Sequence, residues 1–297
     1  QGIVLDDLAM QGILYQVGRL ATTLFGLATV AVVYAIGRRL FNRRVGLWAA
    51  LLLAGMALHI EHSRYITTDV PSALFVAGCL YFAARALETG SLADLAYSAV
   101  MAGLAAGTKY NAGSVLLTTG LAFLLTRRSW RDLADPALLL IPLGAAAGFL
   151  ASTPYAALDY AGFRKTLLYH LEGYGAAEAS LTASDNWRWF ARYLLTQGLG
   201  PALAWTTALG TAHAALVRRT RKDVLLFVFP LIYYAIVSLP RVRYARNLLP
   251  MTPCLALLAA RLVSEALDWA AVQFDRLRPT RLLAILLRLP VLLGLAF

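Results

Sequence analysis

The sequence predicts an all-α fold, a polytopic transmembrane helical bundle. The chain of 297 residues is 60% hydrophobic and only 14% charged, with a mean hydropathy of +0.64. A soluble domain of this length needs far more polar surface to cover its core. Apolar runs of roughly 15–20 residues recur along the chain, and about 20 helical residues cross the hydrocarbon layer. The runs are rich in Leu and Ala and lack strict alternation, which selects helices over a closed barrel.

Taken in order, residues 1–16 carry Asp6, Asp7, Gln11 and Gln16 among apolar positions and are expected to form an interfacial amphipathic segment. Spans are then expected near 17–36, 45–60, 70–87, 95–108, 112–126, 137–153, 199–217, 224–239 and 247–264, with a tenth from 282. About 8–10 crossings result, because several are short enough to be tilted or paired. Cys79 and Cys254 lie inside apolar runs and are expected as small core residues. Gln1 and the apolar stretch around Phe297 look like cut ends of a single transmembrane domain over 1–297.

The net charge of +11 marks topology in such a chain, not nucleic acid, because Lys and Arg collect in cytoplasmic turns. Arg38, Arg39, Arg43 and Arg44 form one basic turn, which places that loop in the cytoplasm. Alternation puts 88–94, 127–136, 218–223 and 265–281 on the same side. The basic groups Arg127, Arg128, Arg131 and Arg218, Arg219, Arg221, Lys222 agree with it. The other side receives 61–69, 109–111, an outer interfacial loop over 154–198 with Trp187, Trp189, Phe190 and Tyr193, and 240–247.

Three groups on that second side could carry chemistry. In the run from His59 to Pro71, Asp69 is either a helix cap or a catalytic or ligand group; spacing alone favours the cap. His59 and His62 could share a metal at helical spacing, although two interfacial histidines are the simpler reading. Lys109 ends Gly103-Leu104-Ala105-Ala106-Gly107-Thr108-Lys109-Tyr110 and either snorkels or contacts phosphate. Arg241, Arg243, Tyr244 and Arg246, with Arg19 from the first span, are cations on the disfavoured face; they meet lipid headgroups or an anionic ligand.

The runs Gly18-Arg19-Leu20 to Gly37-Arg38-Arg39-Leu40-Phe41, His62-Ser63-Arg64-Tyr65-Ile66-Thr67-Thr68-Asp69-Val70-Pro71, Gly103 to Tyr110, and Arg243-Tyr244-Ala245-Arg246-Asn247-Leu248-Leu249-Pro250 carry a resemblance. In order and spacing over roughly 15–265 they resemble the dolichyl-phosphate-mannose protein mannosyltransferase and aminoarabinose transferase family, of GT-C fold. The resemblance implies an inverting glycosyltransferase that moves a sugar from a polyprenyl-phosphate carrier to a protein or lipid acceptor. Its site would face away from the cytoplasm, at a bacterial inner membrane.

It further implies Asp69 as a catalytic carboxylate that orients substrate or binds a metal, with Lys109, Arg243 and Arg246 on the lipid phosphate. His62, Arg64, Tyr110, Tyr244, Arg241 and Arg19 are further substrate-binding candidates. The cofactor stays open, a divalent metal being the one candidate. The family's principal acid lies in a first outer loop, so the chain is expected to lack the first helix and most of that loop; neither Asp6 nor Asp7 matches its motif. A transporter or flippase for a lipid-linked sugar, or a non-catalytic lipid-binding subunit, is the alternative.

Overall fold

A computed structural model describes residues 2–127, 135–176, 185–239 and 243–276. The described residues form thirteen α-helices and no strand. Helix α1 (Gly2–Leu40) is continuous. The separate interfacial segment expected at residues 1–16 is therefore replaced by the first turns of α1. No proline interrupts residues 2–40, and helix elongation has nothing to stop it.

The Asn42 side chain accepts from the Val45 amide at 2.9 Å and starts α2 (Arg43–Ala54). A break at Gly55 and Met56 leads to α3 (Ala57–Ser63), with the axis bent by 61°. The expected span at 45–60 is thus a broken pair. Helix α4 (Asp69–Thr89) is the central element, buried along most of its length, and stops at Gly90 with φ +68. That left-handed conformation costs glycine no Cβ clash.

Helix α5 (Leu92–Thr108) begins at Ser91, whose hydroxyl accepts from the Asp94 amide at 3.2 Å. A 3-10 segment, Tyr110–Val115, joins it to α6 (Leu116–Thr126). Another, Pro136–Leu139, precedes α7 (Leu140–Ser152). Small residues let α5 and α7 meet backbone to backbone. A Cβ on Gly103 would run into the Ala145 carbonyl, and one on Gly148 into the Val100 carbonyl. Cys79 of α4 lies 3.4 Å from the Ser98 hydroxyl of α5 and 3.5 Å from the Thr119 hydroxyl of α6, a buried polar seam through the core. Cys79 and Cys254 are both buried and free, as expected of core residues.

The stretch expected as a loop over 154–198 is largely helical among its described residues. It holds α8 (Tyr155–Leu158), α9 (Tyr160–Ala176), α10 (Asn186–Tyr193) and a π turn, Leu194–Gly198. Helix α11 (Pro201–His213) runs into a π turn at Ala214–Arg218. Thr220 and Asp223 form a reciprocal cap for α12 (Arg221–Ser238). A 3-10 turn, Ala245–Met251, opens α13 (Thr252–Arg276).

Among the described residues, two helices are long and apolar enough to cross a membrane, Met10–Leu40 and Asp69–Thr89, or three if the bent α2–α3 pair counts as one. The runs 92–108, 110–126 and 136–152 are helical and apolar but shorter than about 20 residues. The tenth run, from 282, lies outside the described residues.

Polar groups gather at two separate places. Turns that strict alternation assigned to one side are joined by ion pairs: Arg39 to Glu88 at 3.0 Å, Lys222 to Glu88 at 3.0 Å, Arg44 to Asp268, and Arg218 to Glu265 at 2.8 Å. Asp223, fully buried, is held between Arg218 and Arg261. The second place is at the opposite end of α4, around Asp69.

Candidate functional site

Asp69 occupies the first turn of α4, and Pro71 suits that turn because its missing amide would be unpaired there anyway. The capping position itself belongs to Thr68, whose side chain makes no cap bond. The cap role favoured by spacing is therefore not what the structure shows. The Asp69 carboxylate is buried and faces two cations instead.

Lys109 is the first of them. It follows the last turn of α5 with extended backbone, φ −156 and ψ 114, which carries its side chain out of the helical register. Its ammonium donates to Asp69 Oδ1 and, at 2.8 Å, to Asn247 Oδ1. Burial pushes the Lys109 pKa down, and the Asp69 charge opposes that shift. Lys109 lies between α5 and the next helical segment, outside both.

Arg246 is the second. Its Nε lies 3.8 Å from Asp69 Oδ2, and its guanidinium sits 4.8 Å from the Tyr244 ring centroid. Its side chain is 49% exposed, so its outer edge is free to meet a ligand. The neighbouring Asn247 is fixed from behind: Tyr233, fully buried on α12, donates to the Asn247 carbonyl at 2.8 Å. Arg243 is anchored elsewhere, donating from Nε at 2.9 Å to Asn186 Oδ1 of α10.

One carboxylate thus sits between two cations, Lys109 and Arg246, while Arg243 is tied to a neutral amide apart from them. The unbalanced charge is positive, and a phosphate-sized anion is the complement such a cluster favours. The Asp69 carboxylate is already matched by Lys109 and Arg246. Among the described residues no group of three His, Cys, Asp or Glu side chains could hold a metal ion.

The remaining candidates divide. His62 lies within electrostatic reach of Asp69, Lys109 and Arg246 and packs edge-on to Tyr65, 6.3 Å between centroids. His59 points away, its Nε2 3.2 Å from the Gly26 carbonyl of α1, so the two histidines have different partners. Arg19 donates to the Arg64 carbonyl at 2.8 Å and rests over Tyr15. It ties α1 to the end of α3, with Thr23 donating to the Ser63 carbonyl at 3.0 Å beside it. The Arg64 side chain and Tyr110 are exposed. Arg241 lies outside the described residues. Asn247, Asn186 and Tyr233 were missed by sequence reasoning. Asn247 adjoins Arg246 in the same motif, and that adjacency was the available signal.

Residues 9–155 match the family of dolichyl-phosphate-mannose-protein mannosyltransferases. Among solved structures, ArnT from Cupriavidus metallidurans bound to undecaprenyl phosphate is similar at 19% identity and a TM-score of 0.65, over 86% of this chain and 49% of that one. The apo form of the same protein gives 0.58 at 19% identity, over 86% and 48%. The oligosaccharyltransferase of Archaeoglobus fulgidus, in complex with Zn and sulfate, gives 0.53 at 16% identity, over 95% of this chain and 40% of that one. At these identities the likeness is one of fold, and the chain spans about half the length of the structures it matches. No curated protein matches it.

Proposed function

We propose that this chain is a GT-C glycosyltransferase and contributes the lipid-phosphate end of a site that moves a sugar from a polyprenyl-phosphate carrier to a hydroxyl or amide of a protein or lipid acceptor. The observation that carries the reading is the Asp69–Lys109–Arg246 cluster, buried on one side and open on the other. Support also comes from the ArnT structure, which binds undecaprenyl phosphate on the same fold.

In the reaction the bond from the anomeric carbon to the phosphate oxygen breaks while the acceptor forms a new bond on the opposite face, with inversion. The leaving phosphate gains negative charge. Cations already in place stabilise that charge more in the transition state than in the ground state. Lys109 supplies a mobile point charge and Arg246 a planar fork. Asp69 keeps both aimed, so its part is orientation. The acceptor's proton must pass to a different carboxylate, and the family resemblance locates that group in the first outer loop. The site faces away from the cytoplasm in this reading, because the ion-paired basic turns lie at the other end of the bundle.

The test is sugar transfer by the full-length protein from a polyprenyl-phosphate donor. Lys109→Gln and Arg246→Gln should each lower turnover by about 10²-fold or more, with thermal unfolding recorded in parallel. Turnover within twofold of wild type in both variants would overturn the assignment.

A further inference from the structure

A cavity of about 320 Å³ lies far from the Asp69 cluster, lined by Tyr34, Ala35, Arg38 and Arg39 of α1 and by Tyr81 of α4. Tyr81 is twelve residues beyond Asp69 on a continuous helix, which places it about 18 Å away along the axis. The cavity is therefore separate from the site described above.

Its chemistry is that of an anion site. Arg39 is matched by Glu88 at 3.0 Å, but Glu88 is shared with Lys222 at 3.0 Å. Arg38 is exposed and has no ion-pair partner among the described residues. Neither the Tyr34 nor the Tyr81 hydroxyl has a hydrogen-bond partner among them. One unmatched guanidinium and two free phenolic donors thus line one hollow.

The surface leading to it identifies the source of the anion. Leu20, Leu24, Leu27, Ala31, Tyr34 and Arg38 follow one face of α1 at spacings of three and four. Leu20, Leu24 and Leu27 are 61%, 56% and 62% exposed. An exposed apolar stripe of α1 thus ends at an unpaired arginine, the arrangement of an acyl chain and its charged head. Basic pockets between membrane helices bind anionic headgroups in this way.

We propose that this hollow holds the phosphate headgroup of an anionic membrane phospholipid, its acyl chain lying along Leu20, Leu24 and Leu27. The test is native mass spectrometry of the full-length protein with phosphatidylglycerol or phosphatidylcholine, with inorganic phosphate as competitor. Wild type should retain phosphatidylglycerol in preference by about fivefold. Arg38→Gln should remove the preference, Tyr34→Phe with Tyr81→Phe should weaken it, and Arg43→Gln, in the same basic turn but outside the cavity, should keep it. No preference in wild type, or equal loss in Arg43→Gln and Arg38→Gln, would overturn the site. Complete displacement of the lipid by millimolar inorganic phosphate would overturn the lipid as its occupant.

Discussion

Lys109, at the end of α5, donates to Asp69 at the start of α4 and to Asn247 before α13, so one ammonium ties three separate segments together. Asp69 is 5% and Lys109 16% exposed at the side chain, which puts the pair mostly out of water. Such a pair is costly to break because one charge is left behind.

Asp69→Asn is accordingly expected to act twice. Lys109 and Arg246 lose the group that aims them, and turnover should fall by about 10²-fold. Unfolding free energy should fall by about 3 kcal/mol, toward the low end for buried pairs because the Lys109 edge still meets water. Turnover in the full-length protein and a denaturation curve measure the two effects separately. Unchanged turnover would remove Asp69 from the mechanism.

Asn247→Ala removes the neutral acceptor of Lys109 but leaves the charges intact. A hydrogen bond to a charged group contributes about 1.5–3 kcal/mol. Donor KM should rise with a smaller change in kcat, since Lys109 would still be present but less fixed. A loss of kcat equal to that of Lys109→Gln would show that Asn247 does more than hold the lysine.

Asn186 and Arg243 should behave as one unit. Asn186→Ala and Arg243→Ala should each weaken donor binding, and the double variant should be little worse than either alone. A double-mutant cycle on donor affinity checks this. Strict additivity would mean that α10 does not position Arg243.

Gly148→Val should destabilise the fold with no direct effect on chemistry. The new side chain would meet the Val100 carbonyl across the α5–α7 contact. Overpacking of this kind costs about 1–3 kcal/mol. A lowered unfolding midpoint, with donor KM unchanged in the surviving folded fraction, is the expected result.

Much of this arrangement was legible in the sequence. Apolar runs located the helices, because a membrane-facing or buried helix must be apolar over its length. The ordered motifs pointed to Asp69, Lys109 and Arg246, and the structure brings these three together. Hydropathy did not show that α1 runs unbroken from Gly2, because a few polar residues look interfacial whether or not the helix continues. Nor did it show the bend between α2 and α3, which depends on backbone angles at Gly55 and Met56. Asn186 was missed for another reason, and the role of Asn247 was marked only by its place beside Arg246. A neutral amide has no charge pattern or period, and its role exists only once a distant Lys109 or Arg243 has been folded against it.

The central claim is that Lys109 and Arg246 receive the phosphate of a polyprenyl carrier. A structure of the full-length protein with a polyprenyl phosphate tests it most directly. Phosphate density within hydrogen-bonding distance of the Lys109 ammonium and the Arg246 guanidinium is the predicted result. Well-defined phosphate density elsewhere, with the Asp69–Lys109 pair undisturbed, would contradict it.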